Sequence, residues 1–412
     1  MLEYVLWSPD IAGNTDTKNA DIGSYCIVLT QKGVKTVRLD GDYDYAAAVN
    51  KLRNKVSGRK QEYQFEQERN ELYKHLVAPV LSKLSGIEEL VIVPDGCLSF
   101  LPFDILRKKD GAKCLGDQYA ISFSPSVSVS VIADTHKERT ESVLAFGGAW
   151  YDKTLSEAEH RRTLRGEGTR GAAKGADRGS LSTDFALTAD NDAQLASMRS
   201  HIREYGPGDY FAKLTWQDLP GTVAELDTLK NFVFTSGSYD ERMQKSASEA
   251  ELKKLSSSGK LKDYAVLHLA CHGYFDRNIA DMSSVLFSEV SGKLSGSSQD
   301  DGYLTIPETA VLSLDADMVC LSACETGLGE VKRGDGMVGL SRAFMVAGAD
   351  RVGVSLWCID DEATAEFMTL MYQKVRQEGK SYSRAYREVK AEFRRSEDFD
   401  HPYYWAAFVL YE

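Results

Sequence analysis

The 412-residue sequence predicts an α/β fold with mostly parallel strands, and three observations carry that expectation. Short apolar runs end at glycine or proline turns. Stretches with apolar residues at helical spacing lie between them. The alternation then resumes after a polar interruption at 152–212. Strands that alternate with helices imply crossover connections and a sheet whose strands run mainly in one direction.

Taken in order, Val91-Ile92-Val93 reads as a buried strand stopped by Pro94-Asp95-Gly96. Residues 120–123 and 143–146 are two more, the last closed by Gly147-Gly148. Residues 71–84 place Leu72, Leu76, Val80 and Leu84 four apart and predict a helix. Composition changes at 152, and 161–179 holds five Arg, one Lys and five Gly without apolar periodicity. This predicts a flexible Arg/Gly-rich insert over 152–212, either a passive linker or a protease-accessible activation segment. Beyond 213, Thr222–Glu225 and Ser248–Glu251 read as capping boxes opening helices. Strands are expected at 264–270, 318–323, 352–357 and 405–411. Helices are expected at 336–347 and 361–377, the second with Phe367, Leu370, Met371 and Val375 on one face. The expected organisation is therefore a first lobe at 1–151, the insert, and a second lobe at 213–412.

Bulk properties exclude several function classes. The chain is 43% hydrophobic and 27% charged, with a formal net charge of −12 and its acids spread along its length. That balance argues against nucleic acid or an anionic membrane as main partner and is compatible with a basic peptide substrate. No run of 18 apolar residues predicts a membrane-spanning helix. The opening Met1-Leu2-Glu3-Tyr4-Val5-Leu6-Trp7 lacks the pattern of a secretory signal. Seven scattered cysteines without a CxxC pair read as reduced thiols of a cytoplasmic protein, and no disulfide framework, metal site or cofactor is expected.

Two strand ends carry the chemistry. Residues 265–273 form an apolar run ending in Cys271-His272-Gly273, and residues 319–327 form another ending in Ala323-Cys324-Glu325-Thr326-Gly327. In parallel sheets, reactive groups gather beyond the C-terminal ends of the strands. A thiol there is mostly protonated at neutral pH until an imidazole takes its proton. His272 and Cys324 are the expected base and nucleophile. The N–H groups of Gly273 and Cys324 are the expected donors to an oxyanion. His272 precedes Cys324 by 52 residues, close to the caspase spacing of about 50, although Ser-Ala-Cys-Glu-Thr-Gly is not the caspase signature. Cys271 and Cys320 read as core thiols and His268 as a packing or supporting histidine sharing the parity of His272. His75, His136, His160 and His201 have no chemical motif beside them, and His401 reads as a loop histidine. Asp360-Asp361-Glu362, after the strand at 352–357, caps a helix and offers a carboxylate for a basic substrate side chain. The glycine-rich stretch 327–336 lacks the Gly-Lys-Ser/Thr of a phosphate loop, which disfavours nucleotide binding.

At these residues the sequence resembles the CHAT domain family, caspase-like peptidases usually found behind tetratricopeptide repeats and related to separases. The resemblance rests on LHLACHGYFD (267–276), DGYLTIPE (301–308), the block 320–364, HPYYWAAFVL (401–410), VIVPDGCLSFLPFDIL (91–106) and DLPGTVAELDTL (218–229). It implies a caspase-like three-layer α/β/α fold with an N-terminal pseudo-catalytic lobe and a C-terminal catalytic lobe. It places the catalytic histidine on His272 and the cysteine on Cys324. It also implies a protein substrate and activation by an attached or partner sensor, in some members for bacterial defence; a basic P1 preference is common among relatives such as separases, gingipains and metacaspases, while CHAT members vary. Leu2-Glu3-Tyr4-Val5 looks like the family's first strand, so either a short repeat-free member or a sensor region further upstream is expected. The alternative is a catalytically silent caspase-like scaffold.

Overall fold

The computed structural model describes residues 1–6, 23–128, 141–152, 154–166, 211, 214, 216–274, 279–288, 300–322, 330–332 and 336–412. Two compact units result. The first contains 1–136, 331–338 and 370–412, and the second contains 137–330 and 339–369. They interleave along the chain, a different division from lobes drawn at 151 and 213, because the C-terminal strand Phe408–Tyr411 pairs in parallel with the strand Ala120–Phe123.

In the first unit, β1 (Leu2–Val5), β2 (Tyr25–Thr30), β3 (Gly33–Arg38), β4 (Glu89–Val93) and β5 (Ala120–Phe123) are ordered β3-β2-β1-β4-β5, followed by Phe408–Tyr411. The β1/β4 and β4/β5 ladders are parallel, while β2 and β3 add an antiparallel margin. The helix Tyr45–Ser57 starts at Asp44, whose carboxylate accepts the Ala47 N–H at 2.9 Å, and buries Tyr45, Val49, Leu52 and Val56. That spacing is one stripe of a 3.6-residue helix. The helix expected over 71–84 begins earlier, at Glu66–Leu72, and continues as a π turn at Tyr73–Val77 and a short 3₁₀ turn at Leu81–Lys83. Arg69, only 1% exposed, pairs with Glu66 there. The helix Tyr382–Phe393 is capped by Ser381 and places Lys390 Nζ 2.7 Å from Asp104 Oδ2, both buried.

In the second unit, β6 (Val143–Gly147), β7 (Tyr239–Met243), β8 (Val266–Leu269), β9 (His272–Tyr274), β10 (Ser284–Leu286), β11 (Tyr303–Thr305) and β12 (Met318–Leu321) are joined by the strand Val352–Ser355. The large sheet runs (Val352–Ser355)-β12-β8-β6-β7, and every ladder in it is parallel. Each residue of β6, β8 and β12 is buried, as in a sheet covered on both faces. The small sheet β11-β10-β9 is antiparallel. The expected α/β class with mostly parallel strands is therefore the observed one.

Several local expectations change. Ser248 does cap a helix, Glu249–Ser257. Thr222 does not: the helix opens two residues earlier, Pro220–Thr228, with proline in its first turn. A proline there loses no helical hydrogen bond and has its φ preset. Residues 336–338 form a strand rather than helix, and the helix is Leu340–Ala347. The helix Asp361–Arg376 buries Ala363, Phe367, Met368 and Met371, while Leu370 and Val375 lie at its margin. The insert does not begin as a loop. Ser156 and Glu159 close a capping box, and the helix Glu157–Leu164 buries His160 and Leu164, one turn apart. Most of the rest of the insert lies outside the described residues, as do Ala323, Cys324 and 325–329.

Glu249 illustrates the electrostatics of this unit. Its carboxylate is 1% exposed, accepts the Gly302 N–H at 2.8 Å, and faces Lys253 at 2.5 Å with Asp300, Asp301 and Glu308 around that lysine. Burial first, then the Glu308 charge, pushes its pKa up to about 7. A raised carboxylate pKa means the folded chain binds more protons than the unfolded one between about 4.3 and 7, so this contribution falls as pH rises through that window. Glu249→Gln is expected to flatten the dependence of Tm on pH between 5 and 7.5. An unchanged slope would remove Glu249 as its source.

Candidate active site

The parallel register builds the site edge. Ala145, His268 and Cys320 stand side by side on β6, β8 and β12, followed by Phe146, Leu269 and Leu321. The residues next along each strand therefore emerge together: Gly147-Gly148, Ala270 and Ser322. Gly148 has φ +55°, and an added Cβ would lie 2.9 Å from Val223 Cγ2. Only a glycine makes that turn cheaply, and it delivers Trp150 and Tyr151 to the edge. Cys324 is two residues beyond Ser322 and lies outside the described residues.

His272 is not the end of the apolar strand, as its sequence suggested. β8 stops at Leu269, the Ala270 N–H still donates to Phe146 O at 2.8 Å, and the chain leaves the large sheet at Cys271. His272 then opens β9, opposite Leu286 of β10, with Gly273 opposite Val285. The parity shared with His268 is therefore broken, and the two imidazoles have separate partners.

The His272 side chain is 3% exposed. Its Nε2 lies 2.8 Å from the carbonyl oxygen of Gln217. A carbonyl only accepts, so Nε2 carries the hydrogen and Nδ1 is the nitrogen that takes up a proton. Tyr151 meets the ring edge-on at 4.6 Å, and Trp216 lies at 5.0 Å. The Tyr151 hydroxyl accepts the His272 N–H at 3.3 Å and donates to Leu286 O at 3.2 Å. Trp216 Nε1–H donates to the Tyr303 hydroxyl, which Phe211 stacks upon at 3.9 Å. The imidazole is thus fixed in tautomer by one carbonyl and in ring plane by two aromatic side chains.

Asp218 holds the carbonyl-bearing segment. Its Oδ1 accepts the N–H groups of Tyr151 and Asp152 at 2.8 and 3.3 Å, and its Oδ2 lies 2.5 Å from His160 Nδ1. His160 in turn stacks on Trp150 at 4.9 Å with ring planes 2° apart. Asp218→Ala frees that segment, and the expected cost in peptide turnover is about 10²-fold, the size of a 1 Å misplacement. Turnover equal to wild type would show that Gln217 holds its place without Asp218.

The remaining candidates separate clearly. Cys271 is fully buried, and burial pushes its thiol up to about 12. Cys26 and Cys97 are pushed to about 12 for the same reason. Cys320 Sγ sits 3.3 Å from Met368 Sδ in the core. Asp360 is exposed, and its carbonyl accepts the N–H and Oγ1–H of Thr364, both at 3.0 Å, at the start of the helix Asp361–Arg376. The Asp361 carboxylate lies over the first turn of Pro220–Thr228, so close that a Cβ on Gly221 would fall 2.0 Å from its Oδ2. A helix N-terminus favours that charge. Sequence reasoning missed Tyr151, Gln217, Asp218 and His160, whose roles arise from backbone atoms or from partners more than 50 residues away. Among the described residues, no three His, Cys, Asp or Glu side chains form a metal cluster, and no helix is long and apolar enough to cross a membrane.

A family model, that of the CHAT domain, matches residues 66–412. Tetratricopeptide repeat protein 28 of Mus musculus is 35% identical to this chain over 107 residues, and its counterpart in Homo sapiens is 34% identical over the same length. Each match covers 26% of this chain and 4% of the relative. Among solved structures, the Saccharomyces cerevisiae separase–securin complex aligns with a TM-score of 0.40 and 12% identity, covering 78% of this chain and 15% of that one. The Arg-specific cysteine proteinase gingipain R aligns with a TM-score of 0.39 and 9% identity, covering 89% of this chain and 73% of that one.

Proposed function

Because the chain belongs to the CHAT domain family, we propose that it is a cysteine endopeptidase in which Cys324 is the nucleophile and His272 the base. One observation carries this reading: a buried imidazole at the sheet edge whose Nε2–H is spent on the Gln217 carbonyl, leaving Nδ1 to accept a proton.

Cys324 gives its thiol proton to His272, and the thiolate attacks the scissile carbonyl carbon. The N–H groups of Gly273 and Cys324 hold the oxyanion that forms. The imidazolium protonates the departing amine as the C–N bond breaks, which leaves a thioacyl enzyme. Water, deprotonated by the same imidazole, then attacks that carbonyl and releases the acid and the thiol. In this reading residues 213–412 supply the catalytic lobe and 1–151 a pseudo-catalytic one. Asp360, the exposed carboxylate, is favoured over the helix-bound Asp361 for pairing with a basic P1 side chain. Cleavage within the insert accompanies activation by an attached or partner sensor. The curated relatives are tetratricopeptide repeat proteins by name, which supports a repeat region as that sensor; bacterial defence as the setting rests on the family resemblance alone.

A P1-diverse fluorogenic peptide library, cleaved by wild type and Cys324→Ala in parallel, tests the proposal. Turnover confined to the wild type, highest with Lys or Arg at P1, is expected. Equal turnover by both proteins would overturn it. Silence from both, even with a sensor partner present, would favour a scaffold.

A further inference from the structure

Below the site edge lies a buried polar cluster that no step of the mechanism uses. Glu225, on the helix Pro220–Thr228, is 1% exposed. Its Oε1 accepts from the Ser322 hydroxyl at 2.6 Å and from His268 Nε2 at 3.0 Å. Both partners are as deeply buried as the carboxylate. Their places in the chain matter more than their chemistry. His268 is on β8, four residues before His272, and Ser322 follows β12, two residues before Cys324. These strands are parallel neighbours, with Cys320 opposite His268. The helix that carries Glu225 directly follows the Gln217–Asp218 segment that orients His272.

Stability alone is a poor reason for this arrangement. A buried ion pair costs several kcal/mol per ion in desolvation, and apolar residues of similar volume often serve the fold as well or better. Burial opposes charge on His268, yet Cys320 and Glu225 outweigh it and raise its pKa to about 10. His268 therefore holds its proton at neutral pH. The other carboxylate oxygen, Oε2, is buried and has no hydrogen-bond partner among the described residues. Among the described residues the cluster thus leaves one acceptor unmet, which a purely stabilising arrangement would avoid. What it does supply is geometry: one carboxylate grips both strands just upstream of the two reacting residues.

We propose that Glu225 is a positioning residue that staples the ends of β8 and β12 and so sets the separation of His272 and Cys324. This rests on the peptidase reading above. Removing the staple lets each strand end relax independently, which lowers kcat and leaves KM near its wild-type value, because Glu225 lies beneath the edge and not in a substrate path.

The test reads the separation itself, using 1,3-dibromoacetone on the full chain. The Cys324 thiolate displaces one bromide and His272 Nδ1 displaces the other, so that a bridged peptide pair appears by mass spectrometry only when the two groups lie within the reagent's reach. Wild type is expected to bridge. Glu225→Ala is expected to give about 10-fold less bridged product and a kcat lower by at least that factor, with Cys324 still singly alkylated. Glu225→Gln, which keeps an acceptor for Ser322, should recover most of the bridging. Ser322→Ala removes only the β12 contact and carries the test if Glu225→Ala fails to fold. Wild-type bridging and kcat in a folded Glu225→Ala or Ser322→Ala variant would overturn the staple alone. A wild-type chain that does not bridge would instead overturn the dyad.

Discussion

Replacing Cys324 with alanine is expected to lower peptide turnover by at least about 10³-fold, and His272→Ala is expected to do nearly as much. The two groups act as one unit, so the double variant should lose little more than either single one. In the proposed mechanism His272 is held in place before substrate arrives. The Gln217 carbonyl fixes its tautomer, and Tyr151 and Trp216 fix its ring. An imidazole held this way pairs with the thiolate, so the pH profile of Cys324 alkylation by iodoacetamide should show thiolate well below the usual cysteine pKa of about 8.5. In His272→Ala that profile should return to the ordinary thiol range. A Cys324 that alkylates identically in both proteins would remove His272 as its base, whatever the peptide assay shows. Among the described cysteines, Cys26, Cys97 and Cys271 do not compete for this role, since burial pushes them up to about 12.

The largest stability effect is expected in the first unit. Lys390 and Asp104 form a buried pair, Nζ to Oδ2 2.7 Å, with each side chain 3% exposed. Lys390→Met should destabilise the chain by about 3–5 kcal/mol, because it leaves the Asp104 carboxylate buried without its counter-charge. The methionine fills nearly the same volume, so the loss reports the stranded charge and not a cavity. Adding Asp104→Leu should recover most of it, since an apolar pair of similar size removes both desolvation penalties. Urea unfolding of the two single variants and the double variant gives the coupling directly. Additive losses would show that the two side chains do not depend on each other. Peptide turnover at temperatures where all variants remain folded should stay close to wild type.

The class of fold was legible because its cause is local. Apolar runs such as 91–93, stopped by proline, 143–146, stopped by glycine, and 352–357 are strand signals that need no partner to be recognised. All three are strands in the structure. The helix Asp361–Arg376 was legible for the same reason, since its acidic start and 3.6-residue stripe are both written in consecutive residues. The margin strands β2, β3 and β7 were not expected. Most of their residues are exposed or half-buried, so the apolar signal that marks a central strand is weak in them. Thr222–Glu225 misled because the pattern of a capping box does not reveal where the helix starts. Pro220 opened the helix earlier, and Glu225 went to His268 and Ser322 instead.

The sequence by itself determined the α/β class with mostly parallel strands and the choice of His272 and Cys324 as the reactive pair to test, because hydrophobic period and residue chemistry are properties of short stretches. Only the tertiary structure decided that His272 belongs to a separate small sheet, that its tautomer is held by the backbone of Gln217, that Asp218 bonds the Tyr151 N–H, and that Glu225 bonds both His268 and Ser322. It also decided that residues 370–412 complete the first unit. These are non-local pairings whose partners lie from 14 to nearly 300 residues apart. A carbonyl oxygen, moreover, is the same in every residue, so nothing in the sequence marks Gln217 as the group that orients the His272 ring.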